Sequence, residues 1–282
     1  MLDITGAMRS FVKGVVNAHE ASEVQKAPAV GTPDRSLRIG AVWCTLFDDP
    51  WTRGLRYLPL VHMWRGPSFF VSSTFRYGGG RIAIVRFDED LRRDDLDGSR
   101  ARIAGSVDLF YGASHGLFQN DEFSMALRGA DWSPCVSGFD GAGPKIAVFE
   151  TCYLVRCGQA TCRRGTCNWR QGACAAVDGA WTGPNIGPTV RFVLGFASTA
   201  SGDRTSTRRG WAFGENLFKH KMTISGAWLS AVQTTASAPD VGIAIALGDD
   251  DADANDLLTN ADAHHALPPR TGSQIHVAWK TL

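Results

Sequence analysis

The chain has 282 residues, and its 29 Lys plus Arg nearly balance its 28 Asp plus Glu, for a formal net charge of +1. That balance gives no electrostatic reason to expect nucleic acid or an anionic membrane as partner, and no apolar run approaches the roughly 18–20 residues of an integral membrane helix. With 44% hydrophobic residues and 31 glycines, the chain can bury a full core and make many tight turns, which excludes disorder as its dominant state.

Residues 3–20 read as an amphipathic helix, because Met8, Phe11, Val12, Val15 and Val16 recur at i, i+3, i+4, i+7 and i+8. Arg9 and Lys13 supply too little basic charge for membrane-surface docking, so the stripe is expected to pack on its own domain. Residues 21–36 are polar, carry two prolines and read as a linker.

From Leu37 onward, short apolar runs alternate with helical patterns. LRIGAVW (37–43), RIAIVRF (81–87), VDLFYGA (107–113), KIAVFET (145–151), VRFVLGFA (190–197) and VGIAIAL (241–247) read as strands. Their near-continuous apolar character suits parallel strands covered on both faces. Residues 208–220 and 223–236 read as helices, the first with Phe213, Leu217 and Phe218 on one stripe, the second with Ile224, Ala227, Trp228 and Ala231. Strand–helix alternation predicts an α/β sandwich with a mainly parallel central sheet, one domain over 37–282 behind an arm of 1–36.

Ligands of such a sheet gather at the carboxyl ends of its strands. VDLFYGA runs into Ser114-His115-Gly116, and KIAVFET runs into Cys152. If those strands are neighbours, an imidazole and a thiol share one edge. A thiol becomes a good nucleophile beside a base, and the backbone N–H groups of Gly116 and Cys152 could hold an oxyanion. Ser114, Glu150, Ser198 and Thr199 fall near the same edge and are candidate substrate-binding residues, with capping of the following turn as the alternative for Ser198 and Thr199, which come just after the 190–197 run. Glu150 could also orient His115 or raise the thiol pKa. Asp203-Arg204 and Arg208-Arg209 offer an anionic substrate a local partner.

The order strand, Ser-His-Gly, strand, Cys is similar to that of the caspase-like cysteine peptidases, which include legumain, gingipain and separase. Through DLFYGASHG, AVFETCYL, RFVLGFAST, GENLF, SGAWLSA and DADANDLL the chain more closely resembles an uncharacterised microbial family, the DUF6345-type proteins. The resemblance implies a caspase-like three-layer sandwich and a Cys152–His115 dyad. Thr151 and Glu150 depart from the small residues that usually precede the peptidase cysteine. The expected function is a cysteine-dependent hydrolase or acyl transferase acting on a peptide or peptide-like amide, with no cofactor. The rival expectation is a non-proteolytic protein that processes or binds a small molecule in the same sheet-edge pocket.

The remaining cysteines bear on compartment. Cys157, Cys162, Cys167 and Cys174 lie in a hydrophilic insertion (157–174) whose spacing lacks the C-x-x-C pairs of most zinc ribbons. Two local disulfides are expected there in an oxidising compartment, with Cys44 and Cys135 open to pairing and Cys152 left over. The N-terminal residues lack the apolar core of a secretory signal, which favours the cytoplasm, whereas the Cys-rich loop would fit a secreted mature chain. Compartment and oligomeric state stay unassigned.

Three other features carry less. Asp251, Asp253, Asn255 and Asp262 match part of a calcium loop, but Asp256 stands where that turn wants glycine, so an exposed acidic turn is expected. His264-His265 reads as a solvated loop and Gly78-Gly79-Gly80 as a turn. No metal site is expected.

Overall fold

The computed structural model describes residues 37–44, 65–87, 91, 96, 106–119, 122–126, 132–134, 143–152, 154, 186–198, 200, 206–235 and 240–281. The sequence-predicted helix and linker of 1–36, the Cys-rich insertion 157–174, Cys135, Thr199 and Asp203-Arg204 lie outside those residues.

Seven strands make one sheet: β1 (Leu37–Trp43), β2 (Gly80–Phe87), β3 (Leu109–Ala113), β7 (Ile146–Glu150), β8 (Phe192–Phe196), β9 (Val241–Gly248) and β10 (Gln274–Thr281). Their spatial order is β2-β1-β3-β7-β8-β9-β10. The first five run parallel; β9 is antiparallel to β8, and β10 to β9. A separate three-stranded antiparallel sheet comprises β4 (Gly116–Gln119), β5 (Glu122–Ala126) and β6 (Trp132–Pro134). The α/β class and the mainly parallel sheet expected from the apolar runs are therefore observed.

The central strands β1, β3, β7, β8 and β9 are buried on both faces because each alternates between two apolar cores. Ile39, Ala41, Trp43, Leu109, Tyr111, Ile146, Val148, Phe192 and Leu194 enter one core, and Val42, Phe110, Ala147, Phe149, Val193, Ile243 and Ile245 enter the other. Fully burying a large side chain of this kind contributes roughly 1.5–3 kcal/mol. Among the described residues four α-helices pack on the sheet: α1 (Arg65–Tyr77), α2 (Arg209–Gly214), α3 (Ile224–Thr235) and α4 (Asp251–Asn260). Each contributes buried side chains to the first core: Phe70 and Val71, Phe213, Trp228 and Ala231, and Leu257. At the amino edge, Asp108 ties three strands together. Its Oδ2 accepts from the backbone and Nε of Arg38 at 2.9 and 3.1 Å, and Lys145 Nζ stands 3.2 Å from Oδ1.

Two helices were not expected, each for a physical reason. The buried side of α1 includes Gly66, Pro67, Ser68, Ser73 and Thr74 beside Phe70 and Val71. Ser73 and Thr74 donate back to the carbonyl of Phe70, so polar residues bury with their hydroxyls satisfied and share the buried side with the apolar ones. In α4 the calcium-like spacing proves to be a helix start. Asp250 caps it by accepting from the Asp253 N–H at 2.8 Å, and acidic residues in a first turn complement the helix dipole. Asp253 is meanwhile paired with the buried Arg191 at 2.6 Å. The expected acidic turn is corrected accordingly. Among the described residues no group of three or more His, Cys, Asp or Glu is arranged to hold a metal.

Helices α1 and α2 cross at glycine. A Cβ on Gly210 would lie 1.8 Å from the Gly66 carbonyl oxygen, which is backbone and cannot swing away. Gly210→Ala is therefore expected to force the helices apart and to lower stability by about 2–3 kcal/mol, the cost of overpacking a close-packed core. A reduced urea midpoint with an unchanged m-value is the measurement that checks it.

Candidate functional site

The carboxyl edge of the parallel sheet is built on the pairing of β3 with β7. Their register runs from Leu109↔Ile146 to Ala113↔Glu150, so both chains leave the ladder together. Ser114, His115 and Gly116 follow on one side, and Thr151 and Cys152 on the other. The two segments stay in contact: a Cβ on Gly116 would lie 2.1 Å from the Cys152 carbonyl oxygen and 2.9 Å from Thr151 Cβ. Only glycine allows that approach, and Gly116 also begins β4. Ser114 and Thr151 are buried, while His115 and Cys152 are partly so.

Cys152 Sγ accepts a hydrogen bond from the Ala200 N–H at 3.3 Å. Ala200 lies just past β8, so three adjacent strand ends contribute to the thiol's surroundings. Burial pushes the Cys152 thiol above its ordinary value; the Ala200 N–H opposes that shift and the charge of Asp240 adds to it. Burial likewise pushes His115 below its ordinary value. Both shifts favour the neutral form of each group.

Behind the thiol lies a charged cluster. Glu150 has the strand parity of Ile146 and Val148 and meets the helical layer. Its Oε1 accepts from Arg209 Nη1 at 2.9 Å and its Oε2 from Tyr111 Oη at 2.8 Å. The Nη2 of Arg209 stands 3.4 Å from Asp240 Oδ2, and its Cζ sits 4.6 Å from the centroid of the Phe196 ring. Arg209 is fully buried and Asp240 nearly so. Burial pushes the Glu150 carboxyl up, against the opposing pull of Arg209 and of the Tyr111 hydrogen bond. Burial and the neighbouring carboxylate raise the Tyr111 hydroxyl well above its usual range, which keeps it a donor.

Among the sequence-predicted site residues, His115, Gly116 and Cys152 stand at one edge, with Ser114 beside them. Both carboxylate oxygens of Glu150 are engaged by protein groups rather than turned to a substrate. Ser198 Oγ accepts from the Val241 N–H at 2.9 Å, which ties the end of β8 to the start of β9 and is neither a substrate contact nor the expected turn cap. The pair Arg208-Arg209 is corrected: only Arg208 is exposed, and Arg209 is the buried fork between Glu150 and Asp240. Sequence reading missed Tyr111, Asp240 and Ala200. The sole signal for Arg209 was its place before Gly210 in an otherwise apolar helix.

Two further expectations fall here. Cys44, offered as a disulfide partner of Cys135, is a buried thiol at the end of β1, and no disulfide occurs among the described residues. No protein-family model matches the chain, and no curated protein matches it either. The identification with the DUF6345-type family is overturned by that result.

Removing one partner of a buried ion pair leaves the other charge stranded, at a cost of roughly 3–5 kcal/mol. Arg209→Met is expected to lose stability on that scale in urea unfolding, and adding Glu150→Gln together with Asp240→Asn is expected to restore most of it. Equal stability of the single and triple variants would contradict this account.

Proposed function

We propose that this sheet edge is a thiol site for acyl chemistry on a peptide or peptide-like amide, with Cys152 as nucleophile and His115 as its base. The observation that carries the reading is the contact between Gly116 and the Cys152 carbonyl, which keeps the His-Gly and Thr-Cys segments side by side beyond the last paired residues. The finer fold, a caspase-like three-layer sandwich, belongs to the same proposal. It is supported by the apolar cores on both sheet faces and by the neighbouring positions of the two strands that end in His-Gly and Cys.

In this mechanism the resting pair is a neutral thiol and a neutral imidazole. As Cys152 Sγ bonds to the carbonyl carbon, its proton passes to His115, and the backbone N–H groups of Gly116 and Cys152 receive the developing oxyanion. The C–N bond breaks as the imidazolium returns the proton to the departing amine, leaving an acyl group on sulfur. Water then gives hydrolysis, whereas a second amine gives transfer; in either case the thiol is regenerated. General-base removal of the proton suits a thiol whose burial disfavours the free thiolate.

The test uses p-nitrophenyl acetate on the intact chain, with acetylation located by mass spectrometry. Cys152 is expected to acquire the acetyl group, and His115→Ala is expected to slow that step by about 10²-fold or more, the usual contribution of a general base. Because burial lowers the His115 pKa, acetylation is expected to hold its rate as pH drops from 8 to 6.5 and to fall only below the ordinary histidine value. Absence of acetylation at Cys152 would sink the acyl-transfer reading and leave the edge as a binding site.

A further inference from the structure

The chain beyond β8 reaches the sulfur of Cys152. Ala200 donates its backbone N–H to Sγ at 3.3 Å, and the Ala200 carbonyl oxygen stands 4.0 Å from the same sulfur. The stretch that leads to this peptide is fastened on both sides. Phe196 O accepts from the Leu154 N–H at 2.8 Å, the Ala197 N–H donates to Val241 O at 2.9 Å, and Ser198 Oγ accepts from the Val241 N–H. Leu154 lies two positions beyond the cysteine and packs on Gly195, where a Cβ would come within 2.5 Å of Leu154 Cδ2. Donor and sulfur are therefore joined through the sheet as well as through their own hydrogen bond.

We propose that Ala200 is a positioning residue of the thiol site: its backbone N–H holds Sγ at the sheet edge and receives the negative charge on sulfur while His115 carries the proton. This rests on the reading of Cys152 as nucleophile and adds what steadies its sulfur. A neutral thiol is a weak acceptor, whereas a hydrogen bond to a charged acceptor is roughly twice as strong as a neutral one. The Ala200 N–H therefore tightens its hold as the S–H proton leaves, and it opposes the upward push of burial on the thiol. In the acylation step the S–C bond forms as the proton passes to His115, and the donor supports the sulfur until that bond is complete. In the second step water or an amine adds to the thioester carbonyl and gives its proton to His115. The C–S bond then breaks with its electron pair on sulfur, where the same N–H receives the charge before the imidazolium returns the proton.

The experiment turns the Ala200 amide into an ester, by incorporating lactic acid at that position of the full chain through nonsense suppression. The N–H becomes an oxygen and the methyl side chain stays. Cys152 is labelled with iodoacetamide between pH 6 and 10 and followed by peptide mass spectrometry. The ester is expected to raise the labelling midpoint by about one pH unit, a roughly tenfold smaller thiolate fraction at neutral pH. Ala200→Gly keeps the N–H and is expected to keep the parent midpoint. The titratable and charged groups on the surrounding elements, His115, Tyr111, Glu150, Arg209 and Asp240, are the same in all three chains, so the midpoint reads the donor. An unchanged midpoint in a folded ester chain overturns the proposal, as does an equal shift in Ala200→Gly, which would make the backbone path rather than the donor the cause. If the ester chain loses the parent's circular dichroism, the parent labelled with nitrogen-15 alanine replaces it. Its Ala200 amide proton is expected to move downfield across the labelling midpoint as the thiolate forms, and a resonance that stays in place overturns the proposal. Acetylation by p-nitrophenyl acetate is read separately. An acetylated Cys152 with an unmoved midpoint in the ester chain fails this inference alone, and a raised midpoint without acetylation fails the acyl-transfer reading alone.

Discussion

The buried fork of Arg209 is the interaction on which the helical layer and the site both depend. A guanidinium taken fully out of water must find partners for its charge and its donors. Here it has Glu150 and Asp240 at its two ends and the face of Phe196 beneath it. Those partners lie at the ends of β7 and β8 and the start of β9, so a single side chain of α2 fastens three adjacent strand ends. Space for it comes from glycine. A Cβ on Gly66 would meet Glu150 Oε2 at 1.9 Å, and one on Gly210 would meet the Gly66 carbonyl. Close crossing of α1 over α2 and burial of the ion cluster are one packing solution.

That cluster also fixes where the thiol stands. Glu150 ends β7, and the chain turns immediately into Thr151 and Cys152. With Glu150 tied to α2 and to Tyr111 on β3, the turn starts from a position held on two sides. On the far side of β7, the sulfur is bound by the Ala200 N–H beyond β8. Sheet register and buried charge thus hold the turn that carries the thiol from both sides of β7.

Much of this layout was legible from residue pattern. The six apolar runs became strands, and the near-continuous apolar character of the central ones reflects burial on both sheet faces, which the antiparallel β9 shares with the parallel strands beside it. The Gly-bearing SHG and the Cys after the next strand marked the edge because their neighbours in sequence, DLFYGA and IAVFE, are core strands. What escaped was structure stabilised by satisfied polarity. Helix α1 buries Ser73 and Thr74 through hydrogen bonds to its own backbone, so polar residues fill part of its buried face. Helix α4 conceals its start in a run of aspartates that cap and complement its dipole. Arg209 looked like half of a basic surface pair because a buried charge differs from an exposed one only in its partners, and these lie 59 and 31 positions away.

The shifts at the edge distinguish two ways a cysteine can act. An ion-pair site raises its histidine and lowers its thiol, and is reactive before substrate arrives. Here burial moves both groups the other way, and the charge of Asp240 adds to the upward shift of the thiol. Such an arrangement lowers reactivity toward small electrophiles, since these depend on the thiolate already present. It need not lower reactivity toward a seated acyl group, because the base and the oxyanion donors act only as charge develops. The same low-dielectric surroundings that make a resting thiolate unfavourable strengthen those donors when the oxyanion forms. Burial at this edge is therefore compatible with acyl chemistry, provided that proton transfer to His115 accompanies bond formation.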